Sequence, residues 1–115
     1  MENTLRTINL ETGKPTSLEA IKRLMAEIPN SKKLGFRVVK LIHGYGSSGT
    51  GGRIRIETRK YLQRQADAGQ IKLFVPGESF SIFDEGTRAV LSACDELRRD
   101  HDLERHNNGV TFVLL

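Results

Sequence analysis

Short apolar runs rich in β-branched residues recur along the chain and predict four strands. They cover residues 5–10, 36–42, 71–75 and 110–115. Their length and composition favour strands over buried helical segments. Arg37 and Lys40 interrupt the second run, so we expect both charged groups to reach solvent at the edges or ends of that strand.

Apolar residues at spacings of three and four predict a helix after each of the first three strands. The first helix begins with a capping box, in which the Thr16 hydroxyl and the Glu19 carboxylate bind otherwise unpaired amides. It is expected to end at Pro29-Asn30. The second helix covers about residues 53–66, and its inward-facing side chains are expected to be Ile54, Thr58, Tyr61 and Leu62.

The third helix starts at Phe83-Asp84 and carries an apolar stripe made of Val90, Ala93, Cys94 and Leu97. The order of elements is therefore βαβαβ-α-β. Alternating strands and helices predict an α/β protein. We expect a two-layer α/β sandwich with a mixed, mostly parallel four-stranded sheet, formed as a single domain over residues 1–115.

The composition indicates a globular protein, with 37% hydrophobic and 28% charged residues. No apolar run approaches the roughly 18 residues that span a bilayer, and the N-terminus lacks the basic start and apolar stretch of a signal peptide. The single cysteine, Cys94, cannot form an internal disulfide, which fits a reducing compartment. We therefore expect a cytoplasmic protein that does not contact a membrane, with Cys94 in its core.

Charge is concentrated in one part of the chain. Residues 31–64 hold nine basic side chains and one acidic side chain, Glu57, which gives this stretch a charge of +8. Since the whole chain carries +4, the remainder carries −4. This imbalance favours a polyanionic partner, although a solvated basic face without a partner would give the same pattern.

A glycine-rich loop joins the second strand to the second helix and leads into Arg53 and Arg55. Its residues are His43, Gly44, Tyr45, Gly46, Ser47, Ser48, Gly49, Thr50, Gly51 and Gly52. Glycines let the backbone approach a ligand, and the first amides of a helix can donate to an anion. Because ligands bind at the carboxyl ends of strands in α/β sheets, we expect this loop to contact phosphate, with Arg55, Arg59 and Lys60 adding contacts.

Two nucleotide-binding motifs fit this loop poorly. The spacing Gly44-x-Gly46-x-x-Gly49 matches the dinucleotide fingerprint, but Thr50-Gly51-Gly52 separates the last glycine from the predicted helix. The next strand also ends in Pro76-Gly77 without the acidic residue that would bind a ribose. The phosphate-binding loop of nucleotide hydrolases requires Gly-Lys-Ser or Gly-Lys-Thr, which the chain lacks.

The loop and the residues after it resemble the Smr (small MutS-related) domain family. The resemblance rests on Ile42-His43-Gly44-x-Gly46, on Ile54-Arg55 and on Arg59-Lys60-Tyr61-Leu62. Residues 17–20 and 109–114 are similar to the first helix and last strand of that family, while residues 78–106 fit poorly and are interpreted as an inserted helix and loop. The resemblance implies a compact α/β sandwich that binds DNA or RNA and in several members cleaves it.

The chain departs from the family pattern in the first strand. The family has leucine-Asp-x-His-Gly, and its acidic and imidazole groups have been linked to cleavage, whereas Asn9 and Glu11 stand at these positions here. An asparagine cannot serve as a carboxylate base or as an anionic metal ligand. Catalysis would therefore rest on His43 as the base, with Glu11 orienting it. A divalent metal is expected only in a nuclease, and no other cofactor is expected.

Two further functions remain open. The chain could be a degenerate relative of the Smr family that acts as a protein-interaction module. An exposed surface made of Phe80, Ile82 and Phe83 would favour this hypothesis. It could also bind a small phosphate compound or nucleotide. Tyr45 either stacks on a base or packs over the loop's own glycines.

Metal binding is not expected at the end of the third helix. Four side chains of ligand type occur there, but their spacing matches no zinc pattern. They are His101, Asp102, Glu104 and His106.

Overall fold

The computed structural model describes residues 4–45 and 50–115. Seven regular elements follow one another within these two ranges. They are β1 (Leu5–Asn9), α1 (Ser17–Lys33), β2 (Val38–Ile42), α2 (Thr50–Asp67), β3 (Leu73–Pro76), α3 (Glu85–Ala93) and β4 (Val110–Leu114). Short 3₁₀ segments cover Gly77–Ser79 and Asp95–Arg99. The predicted α/β class and the order βαβαβ-α-β are confirmed. Within the described ranges, no helix is both long and apolar enough to cross a bilayer.

The four strands form one mixed sheet in the order β1-β2-β4-β3. β1 and β2 pair in parallel, whereas β4 runs antiparallel to both of its neighbours. Three strands therefore point in one direction, as predicted, and the insertion of β4 between β2 and β3 makes two of the three pairings antiparallel. Because β4 runs the opposite way, its first residue, Val110, lies beside the last residue of β2, Ile42.

Both faces of the sheet are covered. The helices α1 and α2 pack on the first face, where the buried side chains include Leu24, Val39, Leu41 and Leu62. On the second face, α3 and the 3₁₀ segments form another cluster, in which the Phe80 and Phe112 rings stack with centroids 3.9 Å apart. Residues 78–106 therefore add a layer to the predicted sandwich. Their status as an insertion stays a prediction.

Helix ends differ from the sequence-based expectations. The capping box at Thr16 and Glu19 is present as predicted. However, α1 continues through Pro29 to Lys33. Pro29 is exposed, while Ile28 and Ser31 on the same turns are buried. A proline removes one backbone hydrogen bond, and the packing of the last turn offsets that loss.

The third helix is shorter than its apolar stripe suggested. α3 ends at Ala93, since Cys94 adopts an extended conformation with φ −145° and ψ 91°. The chain then forms the 3₁₀ segment Asp95–Arg99, which places Arg98-Arg99 outside α3. Cys94 and Leu97 are nevertheless buried, so the prediction that Cys94 belongs to the core is confirmed.

The prediction that Lys40 reaches solvent is wrong. Lys40 is 7% exposed in the middle of β2, and its Nζ lies 2.9 Å from Asp100 Oδ2 and 2.7 Å from Asp102 Oδ2. Burial opposes the charged form of Lys40, but the two carboxylates outweigh it and raise the pKa of Lys40 above its ordinary value. Asp102 also accepts a hydrogen bond from Asn107. Buried charge is tolerated here because it is fully paired.

The same ion pair involves the one cluster of three possible metal-ligating side chains found among the described residues. Asp100, His101 and Asp102 have ligand atoms within 4.8 Å of one another. The positive charge that the two carboxylates face is the Lys40 ammonium. The cluster therefore acts as an internal ion pair that ties the third layer to the sheet.

We expect Lys40→Met to destabilise the fold by about 3 kcal/mol, because it leaves two carboxylates without their cation in a largely buried place. Urea unfolding at pH 7 measures the change. Lys33→Met, at an exposed position on α1, removes the same charge and should change the stability by less than about 0.5 kcal/mol. Equal effects of the two substitutions would contradict this role for Lys40.

Candidate nucleic-acid interface

The ends of β1 and β2 and the start of β4 meet at one edge of the sheet. The backbone N–H groups of His43 and Gly44 both donate to the Gly109 carbonyl, each at 3.0 Å. Gly44 has a φ of +76°, and a Cβ at this position would lie 2.5 Å from Glu11 Oε2. Position 44 therefore requires glycine for its conformation and for its close approach to Glu11.

The His43 side chain is completely buried beneath this edge. Its Nδ1 lies 2.8 Å from the Gly44 carbonyl oxygen, and its Nε2 lies 2.8 Å from Thr111 Oγ1. Because a carbonyl can only accept, we assign the proton to Nδ1. Nε2 then accepts a hydrogen bond from the Thr111 hydroxyl.

Burial lowers the pKa of His43 to about 4, although its hydrogen bond to the Gly44 carbonyl opposes this shift. The positive charges of Arg59 and Arg55 lower the pKa further. The imidazole is therefore neutral at pH 7, and both of its nitrogens are engaged. Such a ring is well suited to hold the loop against β4 and poorly suited to accept a proton from a substrate.

Glu11 and His43 follow the ends of adjacent strands, since β1 pairs with β2. Among the described residues, however, no hydrogen bond joins the Glu11 carboxylate to the imidazole. The carboxylate instead lies against Gly44. Asn9, at the end of β1, uses its side-chain oxygen to accept the Glu11 backbone N–H at 2.9 Å. The catalytic roles of His43 and Glu11 stay predictions.

Arg59 makes the most extensive set of contacts at this edge. Nη1 and Nη2 donate to the two carboxylate oxygens of Glu78, each at 2.7 Å. Nε lies 3.3 Å from Thr111 Oγ1, and Nη2 also faces the backbone carbonyls of Asn108 and Val110. Burial opposes the ionisation of Glu78, but its bonds to Arg59 outweigh this and lower the pKa of Glu78. Both partners are therefore charged at neutral pH.

The predicted basic residues of α2 lie on two flanks of the helix. At about 100° per residue, Arg55 and Arg59 share the flank that faces β4. Arg53 and Lys60 lie on the opposite flank and are exposed, while Arg55 is partly exposed. The sequence places these four cations in one segment. In the fold, Arg55 and Arg59 lie at the edge near His43, whereas Arg53 and Lys60 lie on the flank nearer α1.

The glycine-rich loop is described in part. Gly46, Ser47, Ser48 and Gly49 lie outside the described residues. α2 begins at Thr50, three residues earlier than predicted, so Gly51 and Gly52 belong to its first turn. Its first turn contains no acidic residue, which leaves its amide dipoles uncompensated by a carboxylate of their own turn.

Tyr45 is the last described residue before α2, and 60% of its surface is exposed. Its ring covers Gly109, where an added Cβ would lie 3.0 Å from Tyr45 Cδ1. The glycine on which it packs therefore belongs to the turn before β4. The three residues considered for a protein-interaction surface differ in exposure. Phe80 is buried in the core, whereas Phe83 is 85% exposed and Ile82 is 50% exposed.

Three residues of this site were not found from the sequence. Thr111 is a β-branched residue within an apolar strand, Glu78 belongs to the segment interpreted as an insertion, and Gly109 directly precedes the predicted last strand. Nothing in the local sequence links them to His43. For Gly109 and Thr111 this role depends on the antiparallel pairing of β4 with β2, which places residues 109–111 beside residues 41–43.

These features define an α/β domain whose mixed sheet has an antiparallel strand inserted beside the parallel pair. The crystal structure of the Smr domain of Thermus thermophilus MutS2 is similar to this chain, with a TM-score of 0.57, 21% sequence identity and coverage of 96% of each chain. The chain therefore has the Smr fold, and the resemblance found in the loop is confirmed at the level of the fold. No family model and no curated protein matches the sequence.

We expect the imidazole of His43 to remain in its neutral Nδ1–H form from pH 7 to pH 5. Its pKa in the folded protein, about 4, lies below the unfolded value of about 6.5. The stability that this difference contributes is complete above about pH 6.5 and is lost as the pH falls towards 4. Nitrogen-15 NMR of the histidine rings measures the tautomer and its titration.

A variant gives an independent measurement of the same effect. The difference in unfolding free energy between the wild type and His43→Gln should shrink by about 2 kcal/mol between pH 7 and pH 5. A ring that titrates near pH 6.5, with no such change in stability, would show that His43 is solvated and would contradict its structural role.

Proposed function

We propose that this chain binds the phosphate backbone of a nucleic acid through residues 43–55, which follow β2 at one edge of the sheet. The observation that carries the proposal is the exposed Tyr45 ring over Gly109, at the edge of the sheet where the Arg55 charge also acts on the His43 imidazole. An exposed aromatic ring and an arginine at one edge of the sheet combine a surface for a base with a donor for phosphate. The Smr fold supports the same function.

Each part has a distinct role in this proposal. The amides at the start of α2 and the Arg55 guanidinium bind phosphate oxygens and set the orientation of the strand. Tyr45 stacks on an unpaired base, because a duplex would keep its bases inaccessible to a single exposed ring. Gly44 lets the chain turn sharply between the end of β2 and Tyr45. His43 holds this turn against β4 through Thr111 and does not contact the ligand.

The site supports binding better than cleavage by the family's usual route. Asn9 is engaged with the Glu11 backbone, and the His43 nitrogens are engaged with Gly44 and Thr111. An endonuclease activity would have to depend on Glu11, whose carboxylate lies against Gly44 at the start of the loop. The protein-interaction alternative draws support from the exposure of Phe83 and Ile82.

Arg55→Ala should weaken binding about fivefold at 100 mM salt and reduce the magnitude of the log–log salt slope by about one, since one phosphate contact is lost. Fluorescence anisotropy with labelled single-stranded RNA, duplex RNA and duplex DNA measures both quantities. The wild type should show a slope of roughly −3 to −4. Arg99→Ala, an exposed arginine in the 3₁₀ segment on the other face, is the matched control and should change neither quantity by half as much.

Absence of binding to all three nucleic acids at about 50 mM salt would overturn the proposal, because electrostatic binding is strong under that condition. The same oligonucleotides, incubated with the protein and Mg²⁺ and separated on a denaturing gel, test cleavage. Fragments that the wild type produces and Glu11→Gln does not would replace the binding-only function with a nuclease.

Tyr45→Leu should weaken the binding of single-stranded RNA about tenfold while leaving duplex binding within twofold, because stacking contributes about 1–3 kcal/mol per base. Leucine keeps an apolar side chain over Gly109 but has no flat face. Anisotropy on the same three nucleic acids provides the comparison. Equal losses for single strands and duplexes would indicate that Tyr45 supports the loop without contacting a base.

A further inference from the structure

The Glu78 carboxylate binds the Arg59 guanidinium in the geometry that a phosphate group would use. Glu78 offers two oxygens in one plane, and each accepts from a different terminal nitrogen of Arg59 at 2.7 Å. Two oxygens of a phosphate group engage an arginine in the same parallel arrangement. The carboxylate therefore fills the position in which Arg59 would bind a phosphate.

The other side of the guanidinium is fixed by the fold. Nε faces Thr111 Oγ1, and Nη2 faces the carbonyls of Asn108 and Val110, at distances of 3.3 to 3.4 Å. These groups belong to β4 and the turn before it, and 19% of the Arg59 side chain is exposed. Arg59 thus remains aimed at the same edge when Glu78 moves away.

Glu78 is the less constrained partner. It lies on the single 3₁₀ turn Gly77–Ser79 at the surface, and 41% of its side chain is exposed. A rotation about its side-chain bonds would place the carboxylate in water without disturbing the backbone. Its charge also lies close enough to Arg55 for the two to interact, so it reduces the positive field at the residue assigned to phosphate contact.

We propose that Arg59 forms a second phosphate subsite, next to Arg55, and that the Glu78 carboxylate occupies this subsite until a nucleic-acid phosphate displaces it. The inference rests on the function proposed above and adds a specificity-determining residue to that site. Glu78 excludes anions that make a single weak contact. A strand that already engages Arg55 presents its next phosphate at high local concentration and can displace the carboxylate.

Glu78→Gln tests the inference, because glutamine keeps the size of the side chain and removes its charge. Affinity for single-stranded RNA should rise about tenfold at 100 mM salt, the gain expected from one additional charge-assisted contact. The log–log salt slope should become more negative by about 0.7 to 0.9. Glu57→Gln is the matched control, since Glu57 is a partly exposed carboxylate on α2, on the flank away from Arg59, and its pairing with Lys60 is long at 3.8 Å.

A second measurement does not require a nucleic acid. Inorganic phosphate is titrated into nitrogen-15-labelled protein while the Arg59 Nε–H resonance is followed. We expect a saturable shift of this resonance in Glu78→Gln at phosphate concentrations that leave it unchanged in the wild type and in Glu57→Gln. Urea unfolding of each variant confirms that the fold is intact before the titration.

The outcomes separate this inference from the proposed function. If Glu78→Gln gains no more affinity than Glu57→Gln and phosphate does not shift the Arg59 resonance, the pair is purely structural and the inference is overturned. If phosphate shifts the resonance but no variant binds nucleic acid, the subsite exists and the nucleic-acid function fails. If the wild type binds RNA and Glu78→Gln does not bind it more tightly, the subsite plays no part in binding.

Discussion

The pairing of β4 with β2 brings the His43 turn and the Arg59 side chain to the same group of polar atoms on β4. β4 enters the sheet between two strands that run the other way, and its first residues come beside the end of β2. The Gly109 carbonyl then accepts two backbone hydrogen bonds from the turn at His43 and Gly44. Two residues later, the Thr111 hydroxyl joins the His43 ring to the Arg59 side chain. A polar network at a sheet edge is specified by the register of one strand pair.

Ion pairs within the fold neutralise part of the basic charge that made the sequence look like a polyanion-binding surface. Lys40 is buried against two aspartates, and Arg59 is paired with Glu78. The cations that remain at the surface of α2 include Arg53 and Lys60 on one flank and Arg55 on the other. A run of basic residues in a sequence therefore overstates the charge that a folded domain presents, because some of these residues neutralise carboxylates brought from distant segments.

The elements of the fold were predictable because each is encoded locally. Strands of β-branched residues, the capping box at Thr16 and the helical spacing of Ile54, Thr58 and Leu62 all act within a few residues. The resemblance in the loop added the fold family. Helix ends were less predictable, since the continuation of α1 beyond Pro29 depends on tertiary packing of Ile28 and Ser31.

The chemistry of the site was predictable only where it is local. The loop from His43 to Arg55 could be recognised as a whole, but the partners of its side chains come from residues 78 and 109–111. Lys40 and Asp100 are separated by 60 residues, and no periodicity connects them. For the same reason the sequence suggested an available His43, whereas the fold encloses its ring.

The central position of β4 has a consequence for synthesis on the ribosome. β3 lies at the edge of the sheet with β4 as its neighbour, so its backbone groups have no strand to pair with while the chain is growing through residues 77–109. β1, α1 and β2, a strand–helix–strand unit with parallel strands, can assemble with α2 during that time. The facing edges of β2 and β3 therefore stay unpaired until residues 110–114 are made and fill the gap between them. Unpaired strand edges are surfaces on which chains associate wrongly, and here they stay unprotected until β4, the last of the four strands in chain order, has been made.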